Sequence, residues 1–243
     1  MSSIPSLHAN LPSAPIDTLP RVSQPIPLSS PDVSDEDRQR VMDVLSGRTL
    51  SLGPVLPAFE EAMAEAAGTR YAVAVNSGTS ALHLCVKAAG IADGDEVITS
   101  PFSFVASANC MLFERAVPRF IDIDINTYNI DPANIPGAIN ARTRGILPVH
   151  VFGLPSDMPA VNQIAAKHNL TVIEDSCEAI GATIGGQRAG SFGQSGLGGL
   201  AEPGGGFPGV LRSPGLALLE QHAEVEHGAG LAAFRRRSEP AGS

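Results

Sequence analysis

The chain has 243 residues, of which 43% are hydrophobic, and it carries a formal net charge of −9. This length allows one large domain or two small ones, and the apolar content is sufficient for a sizeable core. The acidic charge argues against nucleic acid or an anionic membrane as a partner. The sequence shows neither an apolar run of about 18 residues nor a basic segment followed by an apolar one. We therefore expect a cytoplasmic protein that does not span a membrane.

The first 26 residues are rich in serine and proline, a composition typical of a disordered arm. Helix signals follow the arm. Ser34 stands directly before three acidic residues, which favours a helix that ends at Gly47, and a second predicted helix ends at Gly68.

Strands and helices then alternate along the chain. The predicted strands cover residues 71–75, 96–99, 119–123, 145–151 and 171–174, and the predicted helices cover residues 80–89, 105–113 and 158–168. This alternation requires right-handed crossovers and gives a mostly parallel sheet. The strands are uniformly apolar, which indicates that helices sandwich the sheet. The sequence therefore predicts an α/β fold over residues 27–193.

Residues 194–243 have a different composition, with 11 Gly and no Ile, Lys, Asn, Asp, Tyr, Thr or Met. The alternation stops near Gly193, and no strand is predicted after it. One interpretation is a natural low-complexity tail. We favour a tail translated out of frame, because Ile, Lys, Asn, Tyr and Met have A/T-rich codons that a frameshift in a GC-rich gene would remove.

The three cysteines, Cys85, Cys110 and Cys177, are odd in number, far apart and without metal-ligand spacing. They predict buried thiols rather than a disulfide or a metal site.

A segment of small residues, 76–81 (NSGTSA), follows the first predicted strand and begins a helix. Free backbone amides at a helix N-terminus form a phosphate site, and Gly78 would let the backbone approach a phosphate closely. Thr79 and Ser80 would add hydroxyl donors. The alternative is that these residues only cap the helix.

The last predicted strand ends in an acidic pair, Glu174 and Asp175. Ligands of parallel sheets collect at the carboxyl ends of the strands, where Asp175 would hold the pyridine nitrogen of pyridoxal 5'-phosphate (PLP) protonated. The alternative is a carboxylate that caps the next turn. Glu178 follows three residues later and is placed to face the same pocket.

Two further candidates come after strands. Phe104 would stack on a flat heteroaromatic ring, although a single phenylalanine is more commonly a core residue. His150 would line the site, although a lone histidine among apolar residues is more commonly buried in the core.

Five segments, taken together, resemble the DegT/StrS family of PLP-dependent nucleotide-sugar aminotransferases, and they occur in family order and at family-like spacing. They are residues 48–54 (RTLSLGP), 76–83 (NSGTSALH), 94–102 (GDEVITSPF), 149–153 (VHVFG) and 174–181 (EDSCEAIG). The resemblance implies an incomplete large domain of the aspartate aminotransferase fold, which is fold type I of the PLP enzymes, over residues 27–193.

The resemblance also assigns roles. Gly78, Thr79 and Ser80 match the phosphate-binding turn, Phe104 matches the aromatic that stacks on the ring of PLP or of pyridoxamine 5'-phosphate (PMP), and Asp175 matches the pyridine-nitrogen carboxylate. Glu178 matches a position near the cofactor that usually carries Gln or His. Family members aminate a keto nucleotide sugar with an amino acid as the amino donor, typically as homodimers.

The chain departs from the family after residues 191–193 (SFG), where the family continues with a strand and then the lysine that forms a Schiff base with PLP. Here residues 197–203 read LGGLAEP, and the only lysines, Lys87 and Lys167, precede the acidic pair. The resemblance therefore implies a truncated aminotransferase with no catalytic residue. Two alternatives stay open: a non-catalytic protein that keeps the fold to bind a ligand or a full-length homologue, and a PMP-dependent sugar dehydratase with His222 or His227 in place of the lysine.

Overall fold

The computed structural model of the chain describes residues 32–51, 53–198 and 210–213. The predicted arm at residues 1–26 and most of the predicted tail at residues 194–243 lie outside the described residues.

Strands and helices alternate from residue 71 to residue 175, and the predicted elements occur there in the predicted order, with one further short helix at Ile135–Ala138. The α-helices are α1 (Asp35–Ser46), α2 (Val55–Ala67), α3 (Gly78–Ala88), α4 (Ala106–Leu112), α5 (Ile135–Ala138) and α6 (Met158–His168). The strands are β1 (Tyr71–Ala74), β2 (Glu96–Thr99), β3 (Val117–Phe120), β4 (Thr143–Leu147), β5 (Thr171–Asp175), β6 (Thr183–Ile184), β7 (Gln187–Arg188), β8 (Ser195–Gly198) and β9 (Val210–Ser213).

Within the described residues, seven of these strands form one sheet in the order β1-β9-β8-β5-β4-β2-β3. Strands β3, β2, β4, β5 and β8 are parallel to one another, whereas β9 runs antiparallel to both β8 and β1. The carboxyl ends of the five parallel strands therefore meet at one edge of the sheet, which we call the carboxyl edge.

Helices cover both faces of the sheet, as the uniformly apolar strands predict. On one face, Ile173 of β5 and Leu147 of β4 pack with apolar residues of α3 and α4. On the other face, Val172 and Ile146 pack with α6 and α5. Successive strand residues point to opposite faces of a sheet, so both faces of β4 and β5 lie in the core.

The sheet differs from the prediction in three places. Strand β3 begins two residues earlier than expected, and β4 covers Thr143–Leu147 instead of residues 145–151. After Leu147 the pairing with β5 is reduced to an isolated bridge between Val149 and Asp175, and the chain then enters a 3₁₀ turn at Val151–Gly153. The expectation that no strand follows Gly193 is wrong at β8 and β9. Glycine has a low strand propensity, so the sequence of β8 carries no strand pattern, yet its backbone pairs with β5.

The connection into β8 passes very close to its neighbours. A Cβ atom built on Gly193 would lie 2.6 Å from the carbonyl oxygen of Val172, and one built on Gly196 would lie 2.7 Å from that of Gly190. These contacts leave room only for hydrogen at both positions.

Candidate functional site

Asp175 ends β5 at the carboxyl edge and is only 6% exposed. Its Oδ2 atom accepts a hydrogen bond from the Ser107 hydroxyl at 2.8 Å, and its Oδ1 atom accepts one from the Cys177 amide at 3.3 Å. The sequence predicts the position of Asp175 but not Ser107, which lies 68 residues earlier on α4. The one signal for Ser107 in the sequence is that it is a polar residue within a mostly apolar helix.

Two buried thiols lie close to Asp175. Burial raises the pKa of Cys85 to about 12 against a hydrogen bond from Ser195 that lowers it, and the charge of Asp175 is the smallest of the contributions that raise it. Burial likewise raises the pKa of Cys110 to about 12, and the charge of Asp175 is the second cause. Both thiols are therefore neutral at physiological pH. The Asp175 carboxylate consequently lies in a largely apolar environment, where its interaction with a cation is strong.

The predicted phosphate turn lies at the start of α3. Ser77 caps this helix: its hydroxyl oxygen accepts a hydrogen bond from the Ser80 amide at 3.1 Å, and its O–H group donates one to the Ser80 hydroxyl oxygen at 3.0 Å. Since Ser80 accepts this bond, its own hydroxyl proton is left to donate to another group. The first amides of a helix have no partner within the helix, so Gly78 and Thr79 present theirs at this end. The turn thus offers several donors to an anion.

Adjacent carboxylates at the end of β5 have separate roles. Glu174 is fully buried on the opposite face from Asp175 and accepts from His150 Nε2 at 3.1 Å. It also accepts from the amides of Gly190, Phe192 and Gly193, which fixes the segment that leads into β8. Glu174 is therefore a structural residue.

His150 lies in the core and not in the site, which is the more common outcome for a lone histidine among apolar residues. Its side chain is fully buried, its Nδ1 atom accepts from the Ser156 amide at 3.1 Å, and its Nε2 atom faces Glu174. A ring nitrogen that accepts carries no proton, so Nε2 carries the proton and donates to Glu174.

Glu178 is exposed, and its Oε2 atom accepts from the Phe152 amide at 2.7 Å. Phe152 has a φ of 52°, a left-handed conformation that is strained for a bulky residue. The Glu178 carboxylate therefore stabilises a strained turn next to the end of β4. Its predicted contact with a cofactor remains a prediction.

Phe104 lies between β2 and α4 and is 76% exposed. Its carbonyl oxygen accepts from the Ser107 amide at 3.1 Å, so Phe104 is one helical turn before the residue that contacts Asp175. An open pocket at this point is lined by Phe104, Phe120 and the three serines Ser100, Ser103 and Ser107. The pocket has an uncovered aromatic ring and is connected to Asp175 through Ser107, and the stacking role of Phe104 remains a prediction.

These residues fit the ring and the phosphate of PLP or PMP. Asp175 supplies a buried carboxylate for the ring nitrogen, and α3 supplies donors for the phosphate. Ser176, directly after Asp175, is the buried residue in the described part of the chain whose side-chain oxygen has no hydrogen-bond partner. Buried polar atoms are usually paired, and this exception stands directly after Asp175 at the carboxyl edge.

The two lysines lie elsewhere. Lys87 is in the last turn of α3, with Nζ 3.8 Å from Glu114 Oε1, and Lys167 is in the last turn of α6. Each of these helices begins beside the carboxyl edge and returns the chain toward the start of the next strand, so both lysines lie at the end of their helix away from Asp175.

The family model for DegT/DnrJ/EryC1/StrS aminotransferases matches residues 31–197. The chain belongs to this family. Its members are PLP-dependent aminotransferases that act on nucleotide sugars, and the α/β fold is that of fold type I PLP enzymes.

Two characterised relatives illustrate the similarity. GDP-perosamine synthase of Caulobacter vibrioides is 40% identical over 176 residues, which is 72% of this chain and 46% of the relative. UDP-N-acetyl-3-dehydro-alpha-D-glucosamine 3-aminotransferase of Acidithiobacillus ferrooxidans is 43% identical over 162 residues, which is 67% of this chain and 44% of the relative. The chain thus spans less than half the length of these relatives.

A solved structure shows the same architecture with a cofactor. The Bacillus subtilis protein NtdA, solved with bound PMP, is 32% identical and superposes with a TM-score of 0.69 over 79% of this chain and 45% of its own. Separately, none of the helices in the described ranges is long and apolar enough to cross a membrane.

Proposed function

We propose that this chain is the partial large domain of a nucleotide-sugar aminotransferase and that it binds PLP or PMP without completing transamination. The observation that carries the proposal is the buried Asp175 carboxylate at the carboxyl edge, held by Ser107 and flanked by neutral thiols. When bound, the cofactor would supply an electron sink and an amino-group carrier. Asp175 would keep the ring nitrogen protonated, the α3 turn would hold the phosphate, and Phe104 would cover the ring.

The absence of a suitable lysine limits this activity. Transamination needs a lysine that both forms the Schiff base and moves protons, and Lys87 and Lys167 lie away from Asp175. PMP needs no covalent bond to the protein, so the retained residues favour non-covalent binding of PMP. The substrates of the intact family, a keto nucleotide sugar and an amino-acid donor, are proposed for the parent enzyme, as is a homodimer.

Fluorescence titration of the chain with PMP tests the binding part of the proposal. We expect saturable binding that weakens at least about tenfold in Asp175→Asn, because the charged hydrogen bond to the ring nitrogen is lost. Asp35→Asn on α1 makes the same chemical change at an exposed carboxylate and should leave the affinity unchanged. Equal affinities in Asp175→Asn and the unaltered chain would contradict the proposal.

The turnover part is tested by incubating the PMP-loaded chain with glutamate and a keto nucleotide sugar. We expect no multiple turnover in this assay. Formation of amino sugar in catalytic amounts would overturn the proposal.

A second candidate function is a non-catalytic subunit that pairs with a full-length homologue. It is favoured by the partial length and by large apolar side chains that are exposed beside the carboxyl edge, among them Phe104, Phe120 and Phe152. Co-purification with a lysine-bearing homologue from the same cell would support it. The dehydratase alternative depends on His222 and His227, which lie outside the described residues.

A further inference from the structure

Ser107 makes a contact that its place in a helix does not require. A serine within a helix commonly donates to a backbone carbonyl one turn earlier or points to solvent. Ser107 is 2% exposed, and its hydroxyl instead reaches Asp175 Oδ2 at 2.8 Å, across 68 residues of chain. Its neighbours on the buried side of α4 include Cys110 and Met111, so an alanine at this position would suit the packing equally well.

The direction of this hydrogen bond follows from chemistry. An ionised carboxylate can only accept, so the Ser107 hydroxyl donates its single proton to Asp175. The Ser107 oxygen can then accept from Ser103, whose hydroxyl oxygen lies 2.6 Å away. Two hydroxyls in series therefore point their protons toward Asp175, starting from the pocket that Ser103 lines.

This arrangement orients the carboxylate. Oδ2 is held from α4 by Ser107, and Oδ1 is held by the Cys177 amide of its own loop at the longer distance of 3.3 Å. Asp175 is therefore fixed by one short bond from another element and one longer local bond. Removing the short bond would free the side chain to rotate and would leave its charge less well solvated.

We propose that Ser107 is the positioning residue that holds Asp175 in the orientation that receives the ring nitrogen of PLP or PMP. The inference rests on the proposed function for the identity of the ligand. Ser107 acts through Asp175 and does not itself contact the ring.

Ligand substitution gives the first test. The affinities of the chain and of Ser107→Ala are measured for PMP and for its 1-deaza analogue, in which CH replaces the ring nitrogen. We expect Ser107→Ala to weaken PMP binding about tenfold and to leave the affinity for the analogue unchanged, because the analogue makes no bond to Asp175. Ser107→Thr, which keeps the hydroxyl, should restore PMP binding, and Ser191→Ala serves as the serine control at a distant hydroxyl.

A loss of equal size for both ligands would mean that Ser107 only supports the local structure, and that result would overturn the inference. Unchanged affinity for PMP in Ser107→Ala would also overturn it.

A second measurement needs no cofactor and separates the inference from the proposed function. The ¹³C resonance of the Asp175 carboxyl carbon is assigned by its loss in Asp175→Asn. We expect it to shift in Ser107→Ala and to return in Ser107→Thr. If the unaltered chain binds no PMP, the proposed function fails, but this resonance still decides whether Ser107 holds Asp175. A resonance that Ser107→Ala does not move overturns the inference.

Discussion

Two neighbouring carboxylates, Glu174 and Asp175, have different roles because they point to opposite faces of the sheet. Successive side chains of β5 point to opposite faces of the sheet. Glu174 accepts hydrogen bonds from His150 and from three backbone amides, whereas Asp175 keeps lone pairs that can accept from a ligand. The sequence identifies the pair because it ends an apolar strand. It does not reveal Ser107 or the amides at 190–193, because those partners are brought together only by the fold.

The buried thiols give a prediction at the same scale. Burial raises the pKa of Cys85 and of Cys110 to about 12, so at pH 8 almost none of either thiol is the reactive thiolate. We expect both to resist iodoacetamide at pH 8 in the folded chain and to react fully in 6 M guanidinium chloride. Peptide mass spectrometry after each treatment measures the modified fraction at each position. Rapid alkylation of either cysteine before unfolding would contradict the buried environment assigned to them.

Between elements, one carboxylate links three neighbouring strands, β4, β2 and β3. Glu96 begins β2 and is nearly fully buried; it accepts hydrogen bonds from Arg142 and Asn140, just before β4, and pairs with Arg119 of β3. Hydrogen bonds from Asn140 and Arg142 lower the pKa of Glu96 below its ordinary value of 4.5. A lowered carboxyl pKa contributes stability that is present above the unfolded-state pKa and is lost as the pH falls through the folded-state value.

We expect Glu96→Gln to lower the free energy of unfolding at pH 7 by about 1.5–3 kcal/mol, the range for hydrogen bonds to charged groups. The difference from the unaltered chain should shrink as the pH falls below 4.5. Urea denaturation at several pH values measures both effects. Glu36→Gln on α1 removes an exposed pair with Arg40 and should leave the free energy of unfolding nearly unchanged, because solvent screens such a pair. Equal effects of the two substitutions would show that Glu96 does not join the strands.

The helices follow their sequence patterns more closely than the strands do. Helix α1 begins directly after Ser34, as predicted, where Ser34 and Asp37 form a capping box, and α6 has the predicted bounds. Strands β3 and β4 are displaced by a few residues because a continuous apolar run does not mark where pairing stops. Strand β8 has no sequence signature, since its place is determined by the hydrogen-bonding edge of β5.

At the scale of the whole molecule, the main feature is an apolar surface on α1 that no other described residue covers. Helix α1 has no buried residue, and Val41, Met42 and Leu45 on it are each more than half exposed. Large exposed apolar patches are uncommon in monomers and usually mark contact surfaces. The chain also spans less than half the length of its relatives, so a surface of this kind is consistent with a part of a larger assembly.

We expect the isolated chain to self-associate in sedimentation velocity experiments. The double substitution Val41→Glu with Leu45→Glu should increase the monomer fraction, because it charges the apolar stripe with a residue that is itself a good helix former. Gln39→Glu with Ser46→Glu adds the same charge to the same helix without removing apolar side chains, and it should have the smaller effect. A single monomeric species for the unaltered chain would contradict the prediction.

The close approach of β8 to its neighbours has a consequence for which variants of this chain can exist. Any side chain at Gly193 or Gly196 would meet a backbone oxygen at 2.6–2.7 Å, that of Val172 in β5 or that of Gly190, and a backbone oxygen, unlike the end of a flexible side chain, cannot move aside alone. Gly186 is glycine for another reason: its φ is +86°, but its Cβ position is open, so asparagine would be accepted there at modest cost. Gly185 has the same open Cβ position with a φ of +57°. Substitution is therefore limited by volume at Gly193 and Gly196 and by backbone conformation alone at Gly185 and Gly186.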